Sequence, residues 1–154
     1  MNIRPIKSSD YERVEQLIKD AILETNAKDY SKEVIDFMLE VDPFRPRNTA
    51  HERNYFVAID RSIHGVIGLK DNEVKTLFVD PKYHGKGVGS SLLSHVESII
   101  LDKNPISKVY SSASAKSFYE KHGYTIIRED SSKAGEGTML RYYMEKKLRK
   151  NNNT

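Results

Sequence analysis

The sequence predicts a mixed α/β (α+β) domain, and three observations predict it. Short runs of alternating apolar residues are interleaved with stretches whose apolar residues recur every three or four positions, so strand and helix periods alternate along one chain. The strand-like runs at 55–59, 63–69 and 73–79 are separated by only a few turn residues, which makes them antiparallel neighbours. Finally, Glu73 to Leu93, EVKTLFVDPKYHGKGVGSSLL, leads an apolar strand through Asp80 and Pro81 into a glycine-rich turn and then an amphipathic helix. That is the layout of a backbone anion site, because the unpaired N–H groups and the partial positive charge of a helix's first turn point the same way.

Composition bounds the rest. A chain of 154 residues suits one domain with its own core, and 38% hydrophobic with 31% charged residues reads as globular. The formal net charge of +3 favours an anionic small ligand without making nucleic acid the leading partner. Without cysteine, disulfides, a thiol nucleophile and thiolate-bound zinc are excluded. The five histidines, His51, His64, His84, His95 and His122, show no close ligand spacing, so no metal is expected. The first residues, MNIRPIKSSD, lack an apolar leader, and no stretch approaches the roughly eighteen apolar residues of a membrane span. A cytoplasmic location and no membrane partner are expected.

Each element has a local reason. Asn2 to Lys7 is a short strand whose Pro5 suits a sheet edge. A helix from Tyr11 to Glu24 carries Val14, Leu17, Ile18, Ala21 and Ile22 on one stripe, and Ser31 caps a second, with Val34, Phe37, Met38 and Val41 inward. Asp42 to Arg53, DPFRPRNTAHER, has two prolines and three arginines and is expected to be a loop, either solvated or forming a substrate-facing basic edge. Tyr55 to Ile59 and Ile63 to Leu69 pair across Asp60-Arg61-Ser62, with Gly65 and Gly68 marking a twist or bulge, and Asp71-Asn72 turns the chain into Glu73 to Val79. The helix from about Gly87 to Leu101 turns Val88, Leu92, Val96, Ile99 and Ile100 inward and stops at Asp102, Asn104 and Pro105. Lys108 to Ser111 is a brief strand, and Ser114 caps a two-turn helix with Gly123 at its C′ position. Tyr124 to Arg128 is a strand, Glu129 to Gly137 a loop and Thr138 to Leu148 the last strand, which gives one domain over 1–148 and a disordered tail over 149–154.

Two familiar phosphate loops do not fit the glycine turn. Gly85-Lys86 is followed by Gly87 and has no glycine at position 80, and Gly85-x-Gly87-x-Gly89 has Ser90 where a dinucleotide fingerprint needs its third glycine. His84-x-x-Gly87-x-Gly89 instead resembles the acyl-CoA motif Gln/Arg-x-x-Gly-x-Gly/Ala of the GCN5-related N-acetyltransferase (GNAT) superfamily, with His84 in place of Gln or Arg. Ala115 to Tyr124, AKSFYEKHGY, resembles that family's second signature, Ala-x-x-Phe-Tyr-Glu-Lys-x-Gly-Phe. The element order is also similar to the complete GNAT fold, which implies a central, twisted, mixed but mostly antiparallel sheet flanked by helices.

The resemblance implies an acyltransferase that moves an acetyl group from acetyl-CoA, a cosubstrate, to a primary amine by direct attack in a ternary complex. Leu77, Phe78 and Val79 would hold the pantetheine arm and acyl carbonyl through their backbone, helped by a bulge there. His84, Gly85, Lys86 and Gly87 would meet the pyrophosphate together with Val88, Gly89 and Ser90. Ser112 stands where many members carry an Asn that contacts CoA. Tyr119 takes the position that protonates the departing thiolate, and Glu73 the place of a general base in some members. A packed tyrosine beside Phe118 and an unremarkable turn carboxylate are the plainer readings of those two residues. The alternative for the whole chain is a degenerate acyl-CoA sensor or scaffold: Tyr119 favours the enzyme, whereas His84 and Ser112 keep the alternative open. The acceptor and the oligomeric state are not encoded legibly, although family dimers are frequent enough to leave a homodimer open.

Overall fold

Apolar alternation across residues 55–79 builds the centre of a seven-stranded sheet in the computed structural model, which describes residues 1–150. The strands are β1 (Asn2–Pro5), β2 (Asn54–Asp60), β3 (Ser62–Lys70), β4 (Glu73–Val79), β5 (Ile106–Ser112), β6 (Thr125–Ala134) and β7 (Gly137–Lys147). They lie in the order β1-β2-β3-β4-β5-β7-β6, and β1, with Pro5, is indeed an edge. Every pairing is antiparallel except that of β4 with β5. The mixed, mostly antiparallel sheet is therefore as expected.

Helices cover both faces, which is why β3 is buried from Ile63 to Leu69 instead of alternating. On one face α4 (Val88–Leu101) lays Val88, Leu92, Leu93, Val96 and Ile100 against Ala58, Ile67, Val74 and Val109. On the other, α1 (Tyr11–Glu24) and α2 (Lys32–Val41) set Val14, Leu17, Ile18, Val34 and Met38 against Tyr55, Val57 and Val66. Ser31 caps α2 by accepting from the Val34 N–H at 3.4 Å. Both strand glycines sit beside bulges, where the register shifts between Ala58 and Ile59 on β2 and between Gly68 and Leu69 on β3. A Cβ on Gly65 would meet Val88 at 2.9 Å, so this glycine also lets α4 lie close to the sheet.

Several expectations need correction. The expected loop at 42–53 is helical up to Thr49: a 3-10 turn (Asp42–Phe44) runs into α3 (Arg45–Thr49), because Pro43 and Pro46 occupy first-turn positions where a missing N–H is harmless, and only residues 50–53 remain a turn. Ile99 is 38% exposed, and Leu93 takes the inward place beside the row 88-92-96-100. The predicted loop 129–137 is mostly strand, since β6 extends to Ala134 and turns at Gly135, with φ +63°, directly into β7. Helix α5 (Lys116–Lys121) is not capped by Ser114; Ser112 Oγ instead accepts the Ala115 N–H at 3.2 Å, and Ser114 Oγ accepts from Asn26 Nδ2 at 3.2 Å. Of the tail expected to be disordered, residues 151–154 lie outside the described residues.

Candidate active site

The parallel pairing of β4 with β5 covers only Glu73 with Lys108 and Val74 with Val109. Directly afterwards β4 bulges: Leu69 faces Val74 and Gly68 faces Thr76, leaving Lys75 as the extra residue. The bulge thus lies upstream of Leu77, Phe78 and Val79, not at them as expected. Its consequence is the anticipated one, because β4 and β5 part there. On the side of β4 away from β3, backbone N–H and C=O groups of Leu77 to Val79 face a gap instead of a ladder. That gap is the floor of a cleft of about 580 Å³, lined among others by Glu73, Leu77, His84, Gly89, Ser112 and Tyr119.

The glycine turn stands at one end. Asp80 fixes its entry: one carboxylate oxygen accepts the Lys82 N–H at 3.0 Å and the other takes Arg13 Nη2 at 2.6 Å, while Arg13 also donates to the Ile63 carbonyl. Burial pushes the Asp80 carboxyl up, but the Arg13 guanidinium and the Lys82 N–H outweigh it and hold the group below its ordinary value. Gly85 and Gly87 have φ of +75° and +80°, and the space beside each is open. Gly87 caps α4, and the first helical N–H to find a carbonyl is that of Ser91, on Gly87, at 3.0 Å. The N–H groups of Val88, Gly89 and Ser90 are therefore left without intrahelical partners.

The remaining turn residues differ from one another. Gly89 does not share the left-handed backbone of Gly85 and Gly87; it is helical, and its missing Cβ makes room for the Phe118 ring, which would stand 3.2 Å away. The Val88 side chain is buried in the core, so only its backbone can reach a ligand. His84 and Lys86 are exposed. Ser90 Oγ is bound to His122 Nε2 at 2.8 Å, while His122 Nδ1 meets the Phe118 carbonyl at 2.8 Å. The carbonyl requires Nδ1 to donate, so Nε2 accepts the Ser90 proton in the neutral ring. A donor that sequence reading assigned to a phosphate is thereby committed to the neighbouring helix.

Tyr119 stands on α5 where the gap opens. It is 4% exposed, and its ring meets Phe118 and Tyr124 edge-on with centroids 5.3 and 5.4 Å apart. Among the described residues its hydroxyl has no hydrogen-bond partner, and burial pushes its pKa well above the ordinary phenol value. Tyr124, by contrast, donates to Glu97 at 2.8 Å and accepts from Ser107 at 2.7 Å, a satisfied structural network. Glu73 lines the opposite wall and is held by Lys75 at 2.9 Å.

The far end of the cleft went largely unread in the sequence. Phe37, Met38, Asp42 and Arg45 come from α2 and the helical turns after it, Arg53 from the approach to β2, and Met139 and Arg141 from β7. Burial pushes the Asp42 carboxyl up even though Arg45 lies 3.0 Å away. Tyr30 ties the rim together by accepting the Ala113 N–H at 2.6 Å and donating to the Leu140 carbonyl at 3.1 Å. The proline and arginine content of 42–53 was the one signal for this wall. Among the described residues no acid and histidine cluster could hold a metal, and no helix is long and apolar enough to cross a membrane.

Comparison with known proteins agrees with this geometry. YafP of Escherichia coli K12, an uncharacterized N-acetyltransferase, is 25% identical over 148 residues, 96% of each chain. The crystal structure of a GCN5-related N-acetyltransferase from Rhodopseudomonas palustris superposes with a TM-score of 0.87 at 22% identity, over 96% of this chain and 95% of that one. The PaiA N-acetyltransferase of Thermoplasma acidophilum, solved in complex with coenzyme A, superposes with a TM-score of 0.73 at 23% identity, over 96% and 98%. The family model of the acetyltransferase (GNAT) domain matches residues 18–148, most of the chain and nearly all of the sheet, and on that match the chain belongs to the GNAT acetyltransferases, a family of acyl-transferring enzymes.

Proposed function

We propose that this chain transfers an acetyl group from acetyl-CoA to the primary amine of an acceptor, by direct attack with both substrates in the one cleft. The observation that carries the reading is the juxtaposition of three features: the β4/β5 gap, the turn at Gly85 and Gly87, and the hydroxyl that the buried Tyr119 presents to the cleft. The residues present fit coenzyme A. Three unpaired N–H groups at the start of α4, open space over Gly85 and Gly87, and the exposed Lys86 suit a pyrophosphate. The free strand edge of Leu77 to Val79 suits a pantetheine amide chain, and Ser112, whose Oγ accepts from Ala115, lines the cleft beside it. When bound, acetyl-CoA supplies the acyl group already activated as a thioester; a similar solved structure holds coenzyme A.

The chain's own residues then divide the work. A backbone N–H of the Leu77 to Val79 edge polarises the acyl carbonyl. Tyr119 donates its proton to the sulfur as the carbon–sulfur bond breaks. A thiol near pKa 8.5 and an ordinary phenol near 10 make that transfer about two kcal/mol uphill. Burial raises the phenol further, but the same dry surroundings destabilise a free thiolate, so the two shifts offset. Glu73 takes up the amine's proton, directly or through water. For a lysine-like amine of pKa about 10.4, deprotonation at pH 7 costs roughly 4.6 kcal/mol, so the base matters most there. The Lys75 ammonium, 2.9 Å away, fixes where the Glu73 side chain lies.

The test is release of free CoA thiol from acetyl-CoA across a panel of small amines, antibiotics and peptide N-termini, with mass spectrometry showing one added acetyl on the acceptor. Binding of acetyl-CoA without acceptor-dependent thiol release from any amine would make the chain a sensor and end the catalytic reading.

A further inference from the structure

Three arginines line the far end of the cleft, and two are neutralised at contact distance: Arg45 by Asp42 at 3.0 Å and Arg141 by Asp130. Arg53 is not. Its side chain is 13% exposed, its one ion-pair partner among the described residues is the half-exposed Glu52 at the long distance of 4.0 Å, and its Nε, like that of Arg141, is buried without a hydrogen-bond partner. Its one side-chain bond among the described residues is a long one, 3.5 Å from Nη1 to the Tyr55 hydroxyl. A guanidinium does not shed its proton at any ordinary pH, so the fold keeps a mostly buried cation that no carboxylate closes.

That cation is nevertheless held in place. Thr49 Oγ1 donates to the Arg45 carbonyl at 2.5 Å, so the Tyr55 hydroxyl must donate to Thr49 Oγ1 at 2.7 Å and turn a lone pair toward Arg53. Tyr55 is buried, with its ring packed over Gly68, where a Cβ would lie 2.7 Å from it. The helical segment that replaces the expected loop at 42–49 therefore acts as the mount for one guanidinium.

Resting on the acetyl-transfer reading above, we propose that Arg53 is an anion subsite for the acceptor, and that the acceptor is an amine carrying a carboxylate. The carboxylate pairs with the Arg53 fork and the amine reaches toward the β4/β5 gap. A planar guanidinium matches a carboxylate in geometry. The charge count selects a monoanion: Arg45, Lys75 and Arg141 have carboxylates at contact distance, and Lys133 is exposed to water, which leaves Arg53, with only Glu52 at 4.0 Å, as the one weakly compensated buried charge.

Calorimetry on the full chain, with and without CoA, tests this using glycine, β-alanine, γ-aminobutyrate and the common L-amino acids, each against its own carboxamide. At least one acid should bind at least tenfold tighter than its amide. Arg53→Gln should bring that ratio close to one, and Arg53→Lys should leave it in between. Without ligand, Arg53→Gln should keep or raise the melting temperature, because it removes an unpaired buried cation. The readout is binding, so a chain that never releases thiol can still show the ratio, and a working acetyltransferase that binds acids and amides alike overturns the subsite. So does a panel in which no acid binds, an unchanged ratio in the Gln variant, or phosphoethanolamine binding tighter than every carboxylate. The wild-type ratio alone decides the matter if the Gln variant does not fold.

Discussion

Replacing Tyr119 by Phe removes one oxygen from the cleft and leaves the ring between Phe118 and Tyr124, with both edge-on contacts intact. No partner takes the hydroxyl among the described residues, so its loss strands no donor or acceptor. Stability should change by no more than about 1 kcal/mol, because the hydroxyl faces the open cleft and no protein bond is lost. Catalysis should respond very differently. General acid catalysis contributes about 10²–10⁴-fold, which is about 2.7–5.4 kcal/mol of barrier. With the best acceptor, kcat should therefore drop by about two to four orders of magnitude, while the CoA dissociation constant stays within about threefold. Steady-state kinetics, calorimetry with CoA and a thermal melt separate the three quantities. Turnover at the wild-type rate would hand protonation of the thiolate to solvent or another group. Parallel loss of CoA binding and fold would make the tyrosine a packing residue.

The same burial fixes the sign of the pH dependence. Desolvation raises the Tyr119 pKa, so the neutral, proton-donating form persists to higher pH than in an ordinary phenol near 10. The Tyr119-dependent alkaline decline of kcat should consequently lie above about pH 10, and Tyr119→Phe should lack it. A midpoint well below that value, missing in the Phe variant, would mean the cleft is wetter than its geometry indicates.

Three further outcomes are expected. Gly87→Val meets no neighbour within 4 Å but forces a branched side chain onto φ +80°, so the turn should re-form and CoA affinity should fall at least about tenfold, about 1.4 kcal/mol, with folding retained; unchanged affinity in calorimetry removes the turn from the site. His84→Arg places a permanent cation at the family's Gln/Arg position on the cleft wall, so CoA should bind more tightly to the variant, and unchanged affinity in calorimetry would put His84 outside the site. Asp80→Asn should cost about 1–3 kcal/mol, read by denaturant unfolding, because it leaves Arg13 without its 2.6 Å partner. The folded-state pKa of Asp80 is lowered, so its contribution is complete above the ordinary carboxylate value and is lost as pH falls below about 4; the gap between wild type and Asp80→Asn should close there and nowhere higher.

What could and could not be read from the sequence follows from where each segment's side chains point. Both ends of β4 and of α1 were legible because their apolar residues face a core, and burial against a sheet imposes a period of two on a strand and 3.6 on a helix. The glycine turn was legible for another reason: a positive φ at Gly85 and Gly87 is a backbone demand that few residues meet. Gly89 shows the limit of that inference, since an identical residue two positions later is needed only because Phe118, distant in sequence, leans on it. The strand over 129–134 was missed because β6 is an edge strand exposed along most of its length, so its partner β7, not a buried face, decides its conformation. The helical form of 42–49 was missed for a related reason, although a basic edge was one of the two readings of that segment. Arg45, Arg53 and Asp42 look inward, but into a cleft, while Arg47 is exposed against Glu15, so the segment is polar where a core element would be apolar and reads as a loop. The surface that would choose the acceptor is thus the part of the molecule where hydrophobic period carries least information. Arg53 became visible only once the fold showed that its charge is buried with no carboxylate close enough to close it.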